Sequence, residues 1–295
     1  MDIVKLGGSL ITYKGSDVKP PYCWNETSWS YRLKENRIRE IGRALQGNKD
    51  KGLVLVHGGG THGHRTVLRW RMGVAKGSEP MTAWEIKWRM EQLTESILRI
   101  LGRERLPVIS VSPSDIILSS SGSIISMDLE PIKRVLDRGG IPVLRGDLVP
   151  DEAGGWSVVS GDEISVRLCS HAPSGGLGKV SRVIMCMEEE GFMVPDGKGK
   201  KTLAQRISPD RVHSDWESWN EMMEGECGGT DVSGGILGKV LSCHRIAATG
   251  TEARIIGGDI GRNLAQALAG SDIGTLFVPF QGDQSCLRGS CLVTQ

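Results

Sequence analysis

Short apolar runs alternate with segments of helical period along most of this chain. DIVKL (2–6) reads as a strand, and the next periodic segment, 33–45, puts Leu33, Ile38, Ile41 and Leu45 near one helical face. LVLV (53–56) is an uninterrupted apolar run, the mark of a strand buried on both faces, and 81–101 is a long helix. PVISV (107–111) reads as a strand, two Ile-rich runs around SSSGS (119–123) as a hairpin, and EPIKRVLDRGG as a helix ending on glycine before strand IPVL (141–144). GDEISVRLCS opens another helix, followed by strand VSRVIMCM (180–187), helix GILGKVLSCHRIAA and strand ARII (253–256). A short helix around Leu264 and Leu268 and a strand TLFV (275–278) complete the series. This alternation predicts an α/β chain, a three-layer αβα sandwich with a largely parallel central sheet. Gly175, Gly176 and Gly178 sit where a boundary between two lobes falls, at about 1–178 and 179–279, and residues 280–295 read as a loose tail.

Composition narrows the function classes. With 295 residues at 39% hydrophobic content, the chain is long enough for a sizeable core. Its 36 basic and 35 acidic residues are interspersed, for a formal charge of +1, which gives no electrostatic footprint for nucleic acid. No apolar run approaches the roughly 18 residues that span a bilayer. The start, MDIVKLGGSL, lacks the cationic leader and apolar stretch of a signal peptide. Seven cysteines without a C-x-x-C pair suit reduced thiols in a cytoplasmic protein. Glycine is the outlier at 40 residues, set at punctuation points where backbone approaches a ligand.

One stretch concentrates candidate chemistry: LVLVHGGGTHGHR (53–65). Gly58-x-Gly60-x-x-Gly63 after a strand fits a dinucleotide loop, yet no clean amphipathic helix follows it. An oxyanion loop of the His-Gly-Gly-Gly type requires a G-x-S-x-G elbow, which the chain lacks. His57, His62 and His64 suggest a metal, but no Cys, His or carboxylate cluster has the spacing to complete it. A plain glycine turn with surface histidines is the remaining alternative to a phosphate cradle. The phosphate reading draws on three further places: KLGGS (5–9) with Lys14 beyond it, SGD (160–162) at a helix start, and DVSGGILGK (231–239). Glycine turns at strand-to-helix junctions offer bundles of N–H groups that suit phosphate oxygens.

Taken in order, these segments resemble the amino acid kinase family, and within it the branch acting on isopentenyl phosphate. The likeness runs from Lys5 to about Pro279. The family's H-G-x-G-S-F-G-H signature appears as HGGGTHGH, ending at His64; WRMG (70–73), GGIPVLRGD (139–147) and the S-G-D and D-V-S-G-G segments match in turn. Two departures stand out: His62 replaces a phenylalanine, and the nucleotide loop T-D-V-D-G-V-Y reads CMEEEGFMV (186–194), keeping Gly191.

The resemblance implies the amino acid kinase fold and an ATP- and Mg²⁺-dependent kinase of isopentenyl phosphate, cytoplasmic and homodimeric, serving isoprenoid biosynthesis by the mevalonate route. It implies that Lys5 and Lys239 hold the transferring phosphoryl group, with Lys14 beside them, and that Asp162 orients the lysines. Gly7, Gly8, Ser9, Gly191, Asp231 and Gly235 join the nucleotide side. Gly58, Gly59, Gly60, Gly161 and His64 take the acceptor phosphate. Trp70, Trp84 and Trp88, with Met72, Met81 and Ile86 nearby, face its apolar tail, although such residues on a helix are commonly core. A kinase of fosfomycin or another small phosphonate, and a non-catalytic nucleotide- or anion-binding protein, are the competing readings. The loop at 186–194 leads to an expectation of weak, unselective nucleotide binding.

Overall fold

A computed structural model describes residues 1–13, 33–60, 80–196, 200–224 and 235–280. Eight strands form one sheet: β1 (Asp2–Leu6), β2 (Leu53–His57), β3 (Val108–Ser110), β6 (Ile141–Arg145), β9 (Arg182–Cys186), β12 (Arg206–Ile207), β13 (Glu252–Ile256) and β14 (Thr275–Phe277). Their order is β12-β14-β13-β9-β1-β2-β6-β3. Every pairing is parallel except β13 with β14. Smaller antiparallel pairs lie outside the sheet: β4 (Ile117–Ser120) with β5 (Ser123–Met127), β7 (Asp147–Pro150) with β8 (Trp156–Val159), and β10 (Met193–Pro195) with β11 (Lys201–Leu203).

Strand alternation divides the apolar residues between two cores. Ile3, Val54, Val56, Val183 and Met185 turn to one face, beneath α5 (Glu130–Leu136), α6 (Gly161–His171), α7 (Pro209–Glu224) and α8 (Gly235–Ala248). Val4, Leu6, Leu53, Leu55, Ile184 and Cys186 turn to the other, beneath α2 (Glu35–Leu45), α3 (Pro80–Arg103) and α9 (Ile260–Leu268). Two short helices, α1 (Gly8–Ile11) and α4 (Pro113–Ile116), start at strand exits. The three-layer sandwich expected from periodicity is therefore the observed one. The sequence pattern passed over β7–β8, β10–β11, β12 and α7.

Register brings the strand ends together. Leu6 pairs with His57 on one side and Cys186 on the other, and His57 pairs with Arg145. Four chain segments thus leave the sheet along one edge, at the carboxyl ends of parallel strands, where open α/β sheets take ligands.

Candidate functional site

At that edge the ladder continues one residue past the strands. Gly7 N–H donates to the Cys186 carbonyl (2.8 Å), Gly58 N–H to Leu6 (2.9 Å) and Gly146 N–H to His57 (2.9 Å). This corrects the expectation that Gly7 and Gly58 offer their own N–H groups to phosphates, because both are engaged within the sheet. The KLGGS and HGGG turns then touch backbone to backbone. A Cβ on Gly8 would lie 2.3 Å from the Gly60 nitrogen, and Gly60 has a φ of +49°. No other residue fits that approach without moving a strand exit. No described group accepts from the N–H of Gly8, Ser9, Gly59 or Gly60.

Lys5 emerges beside these turns. As an odd-numbered residue of β1 it faces the same side as Ile3, toward α6 and α8. Its Nζ lies 2.6 Å from Asp162 Oδ1, and Lys239 Nζ lies 3.6 Å from Asp162 Oδ2. Lys239 also donates to the Gly235 carbonyl at 3.2 Å, one turn back in α8. Asp162 is placed by a cap: Ser160 Oγ accepts from Glu163 N–H (3.1 Å) and fixes the first turn of α6. Gly161 permits the approach, since a Cβ there would be 3.3 Å from the His57 carbonyl and 3.4 Å from Lys5 Cε. Arg245 of α8 holds Glu163 of α6 (Nη2–Oε1 3.1 Å), so both helices keep their relative position.

Burial opposes ionisation of Asp162, but Lys5 and Lys239 overcome it and hold the carboxyl below its ordinary value. Burial pulls the Lys5 ammonium below its ordinary value, with Asp162 opposing and Lys239 assisting. Two cations therefore share one carboxylate that is held ionised and weakly basic. Such a centre attracts anions and is poorly suited to abstracting protons.

The metal reading of the histidines fails at His57, which is 1% exposed with both ring nitrogens engaged: Nδ1 lies 3.1 Å from the Gly58 carbonyl and Nε2 3.0 Å from Thr94 Oγ1. No group of three or more potential metal-ligating side chains is gathered among the described residues. Along α3, Ala83, Ile86, Met90, Leu93 and Ile97 form the buried face. Ile86 is thus core, whereas Trp84 and Trp88 lie off it, stacked at 6.0 Å with Trp84 42% exposed. Nearby, β6, β7 and α3 carry a second charge cluster, of which Arg145 and Asp147 are buried. Arg145 Nη2 lies 2.9 Å from Asp147 Oδ2 and 3.6 Å from Glu91, while Lys87 lies 3.8 Å from Asp147.

In the 186–194 loop, Cys186 and Met187 are buried, and burial pushes the Cys186 thiol up. Glu188 is paired with Lys34, whose Nζ also donates to the Ser9 carbonyl (2.9 Å). The loop is therefore tied to the first glycine turn. Gly191 is buried, and a Cβ there would meet Thr275 Oγ1 at 2.7 Å, so close packing accounts for that glycine. The loop borders a cleft of about 300 Å³ lined by Glu190, Leu203, Arg262, Asn263, Gln266 and Ile273. Lys14, His62, His64, Trp70, Met72 and Asp231 lie outside the described residues.

Glycine turns meeting at a parallel sheet edge, beside two lysines sharing one carboxylate, define an α/β protein built to hold phosphoryl groups. The amino acid kinase family model matches residues 2–257, and the chain belongs to that family. Isopentenyl phosphate kinase of Methanothermobacter thermautotrophicus is 29% identical over 285 residues, covering 92% of this chain and 97% of its own. The Arabidopsis thaliana isopentenyl phosphate kinase is 29% identical, covering 86% of each. Among solved structures, an isopentenyl phosphate kinase superposes with a TM-score of 0.71 at 23% identity, over 93% of this chain and 99% of the other. Carbamate kinase from Giardia lamblia shares the fold at a TM-score of 0.59 and 14% identity, over 95% of this chain and 98% of the other.

Proposed function

We propose that this chain is an ATP-dependent kinase that phosphorylates isopentenyl phosphate to isopentenyl diphosphate. The observation that carries the reading is the surplus positive charge of Lys5, Asp162 and Lys239, set beside glycine amides that meet no described acceptor. The named activity of the curated relatives supports the choice of acceptor.

The nucleophile is an oxygen of a phosphate monoester, already anionic, so no general base is needed. What the protein supplies is relief of repulsion between two phosphates and their alignment. Lys5 and Lys239 hold the transferring phosphoryl group, with Lys14 beside them, and Asp162 fixes where their charges stand. Gly8 and Ser9 serve the nucleotide phosphates, with Asp231 and Gly235 on the same side. Gly59, Gly60, Gly161 and His64 take the acceptor phosphate. Mg²⁺ would arrive with the nucleotide and, when bound, would neutralise charge on its phosphates. Trp70, Trp84 and Trp88 bound the acceptor's tail. Apart from the first glycine turn, the segment to about 178 serves the acceptor and that from about 179 the nucleotide. The enzyme works as a cytoplasmic homodimer in isoprenoid biosynthesis, and no described helix is long and apolar enough to cross a membrane.

A panel of isopentenyl phosphate, other phosphate monoesters and fosfomycin, each with ATP and Mg²⁺, tests the proposal by ADP release. Isopentenyl phosphate is expected to have the highest kcat/KM. A preference for fosfomycin, or no turnover of any acceptor, contradicts it. His64→Ala should cost roughly 100- to 1000-fold in turnover, the usual effect of losing one transition-state donor.

A further inference from the structure

We infer that His57 is a positioning residue that aims the Gly59 amide into the acceptor-phosphate cradle, with Thr94 of α3 as its brace. The inference rests on the cradle assignment proposed above. His57 ends β2 on the face covered by α3, and it is 1% exposed. A carbonyl only accepts, so at 3.1 Å from the Gly58 oxygen the ring donates from Nδ1. On the far side, Nε2 lies 3.0 Å from Thr94 Oγ1, which in turn sits 2.8 Å from the Met90 carbonyl. The threonine hydroxyl has a single hydrogen. It donates that hydrogen to Nε2 of a neutral ring, or to Met90 when the ring is doubly protonated. Either way Nδ1–H stays on Gly58.

The consequence for the cradle follows from peptide planarity. The Gly58 carbonyl and the Gly59 N–H belong to one trans peptide unit and point in opposite directions. A carbonyl held down onto a buried imidazole therefore turns the Gly59 N–H outward. The flanking contacts reinforce this, because Gly58 N–H is fixed on Leu6 and Gly60 is pressed against Gly8. A glycine peptide left unpinned has ready access to the flipped orientation, in which a carbonyl oxygen would face the phosphate. The histidine thus acts on the acceptor through the backbone and touches no reacting atom.

Two isosteric substitutions separate the arms. His57→Asn keeps an N–H donor near the Nδ1 position, whereas His57→Gln keeps one near Nε2 and loses the bond to Gly58. The expected result is that His57→Gln and His57→Ala weaken KM for isopentenyl phosphate by about tenfold or more, the scale of one lost buried hydrogen bond, with KM for ATP unmoved. His57→Asn should recover most of the loss. Calorimetric titration with inorganic phosphate should follow the same order, so the inference remains testable if isopentenyl phosphate proves not to be the acceptor. Nitrogen NMR of the wild-type histidine rings should show His57 protonated at Nδ1, a readout that depends on no variant. Equal behaviour of the Asn and Gln variants, a matching rise in KM for ATP, or an Nδ1 without its proton overturns the inference.

Discussion

Two buried carboxylates in this molecule each face two cations, and they behave oppositely. Among the described residues Asp162 is paired with Lys5 and Lys239, and its carboxyl is held below its ordinary value. Asp147 faces Arg145 and Lys87, with Glu91 also on Arg145, and burial raises its carboxyl despite those cations. Among the described side chains the second cluster sets two positive groups against two negative ones, whereas the first keeps a net positive charge. The first also opens onto glycine turns. The contrast supports the proposal that a surplus of charge, more than its burial, marks the anion site. A balanced buried cluster contributes position and little net stability.

The largest effect should come from removing the surplus. Lys5→Met or Lys239→Met should lower kcat by roughly a thousandfold while changing KM for ATP little, as expected for groups acting mainly in the transition state. A rise in KM alone would make them binding residues. Next, Asp162→Asn leaves two ammonium groups facing each other without their counter-ion. It should cost about 3 kcal/mol or more in unfolding free energy, together with most activity, while Asp147→Asn should spare kcat.

The two aspartates should also respond to pH with opposite signs. Asp162 has a lowered value in the fold, so its stabilisation is present above its ordinary value of 3.8 and is lost as pH falls through the folded value. Asp147 has a raised value, so the folded state holds its proton more tightly than the unfolded chain does, and its contribution worsens as pH rises. Chemical denaturation across acid to neutral pH should therefore show Asp162→Asn most damaging near neutrality and Asp147→Asn most damaging in acid. Matching pH slopes would erase the distinction. The smallest effect is expected at Trp84. Its truncation to alanine should cost about 1 kcal/mol or less, since it is partly exposed. It should still relax the preference for isopentenyl over geranyl phosphate, which a ratio of kcat/KM values measures. An unchanged ratio would place the tryptophan outside the tail pocket.

Most of the sheet was legible because a parallel strand buried on both faces leaves an unbroken apolar run, as at Leu53–Val56. α7 was not, because among its described side chains only the apolar Val212 and Trp219 are buried, amid many polar ones. The β7–β8 hairpin was missed because its partners, Asp147–Pro150 and Trp156–Val159, are only four residues each. At the site, spacing and resemblance pointed to Lys5, Asp162 and Lys239. Which glycine N–H groups are engaged depends on register across three strands, and no local pattern encodes that. The acidic run at 188–190 read as added negative charge near a nucleotide, yet Glu188 is paired with Lys34, a residue far away in sequence. That pairing weakens the reason for expecting poor nucleotide affinity.

We propose that the charge surplus at Lys5, Asp162 and Lys239 drives phosphoryl transfer onto a phosphate monoester. Phosphorus NMR of ATP, Mg²⁺ and isopentenyl phosphate with the enzyme tests it most directly. The coupled signals of a new diphosphate monoester should grow in step with ADP for the wild type and be absent for Lys239→Met at equal ATP occupancy. Release of inorganic phosphate without a new diphosphate, or equal product from the Lys239→Met variant, would contradict the account.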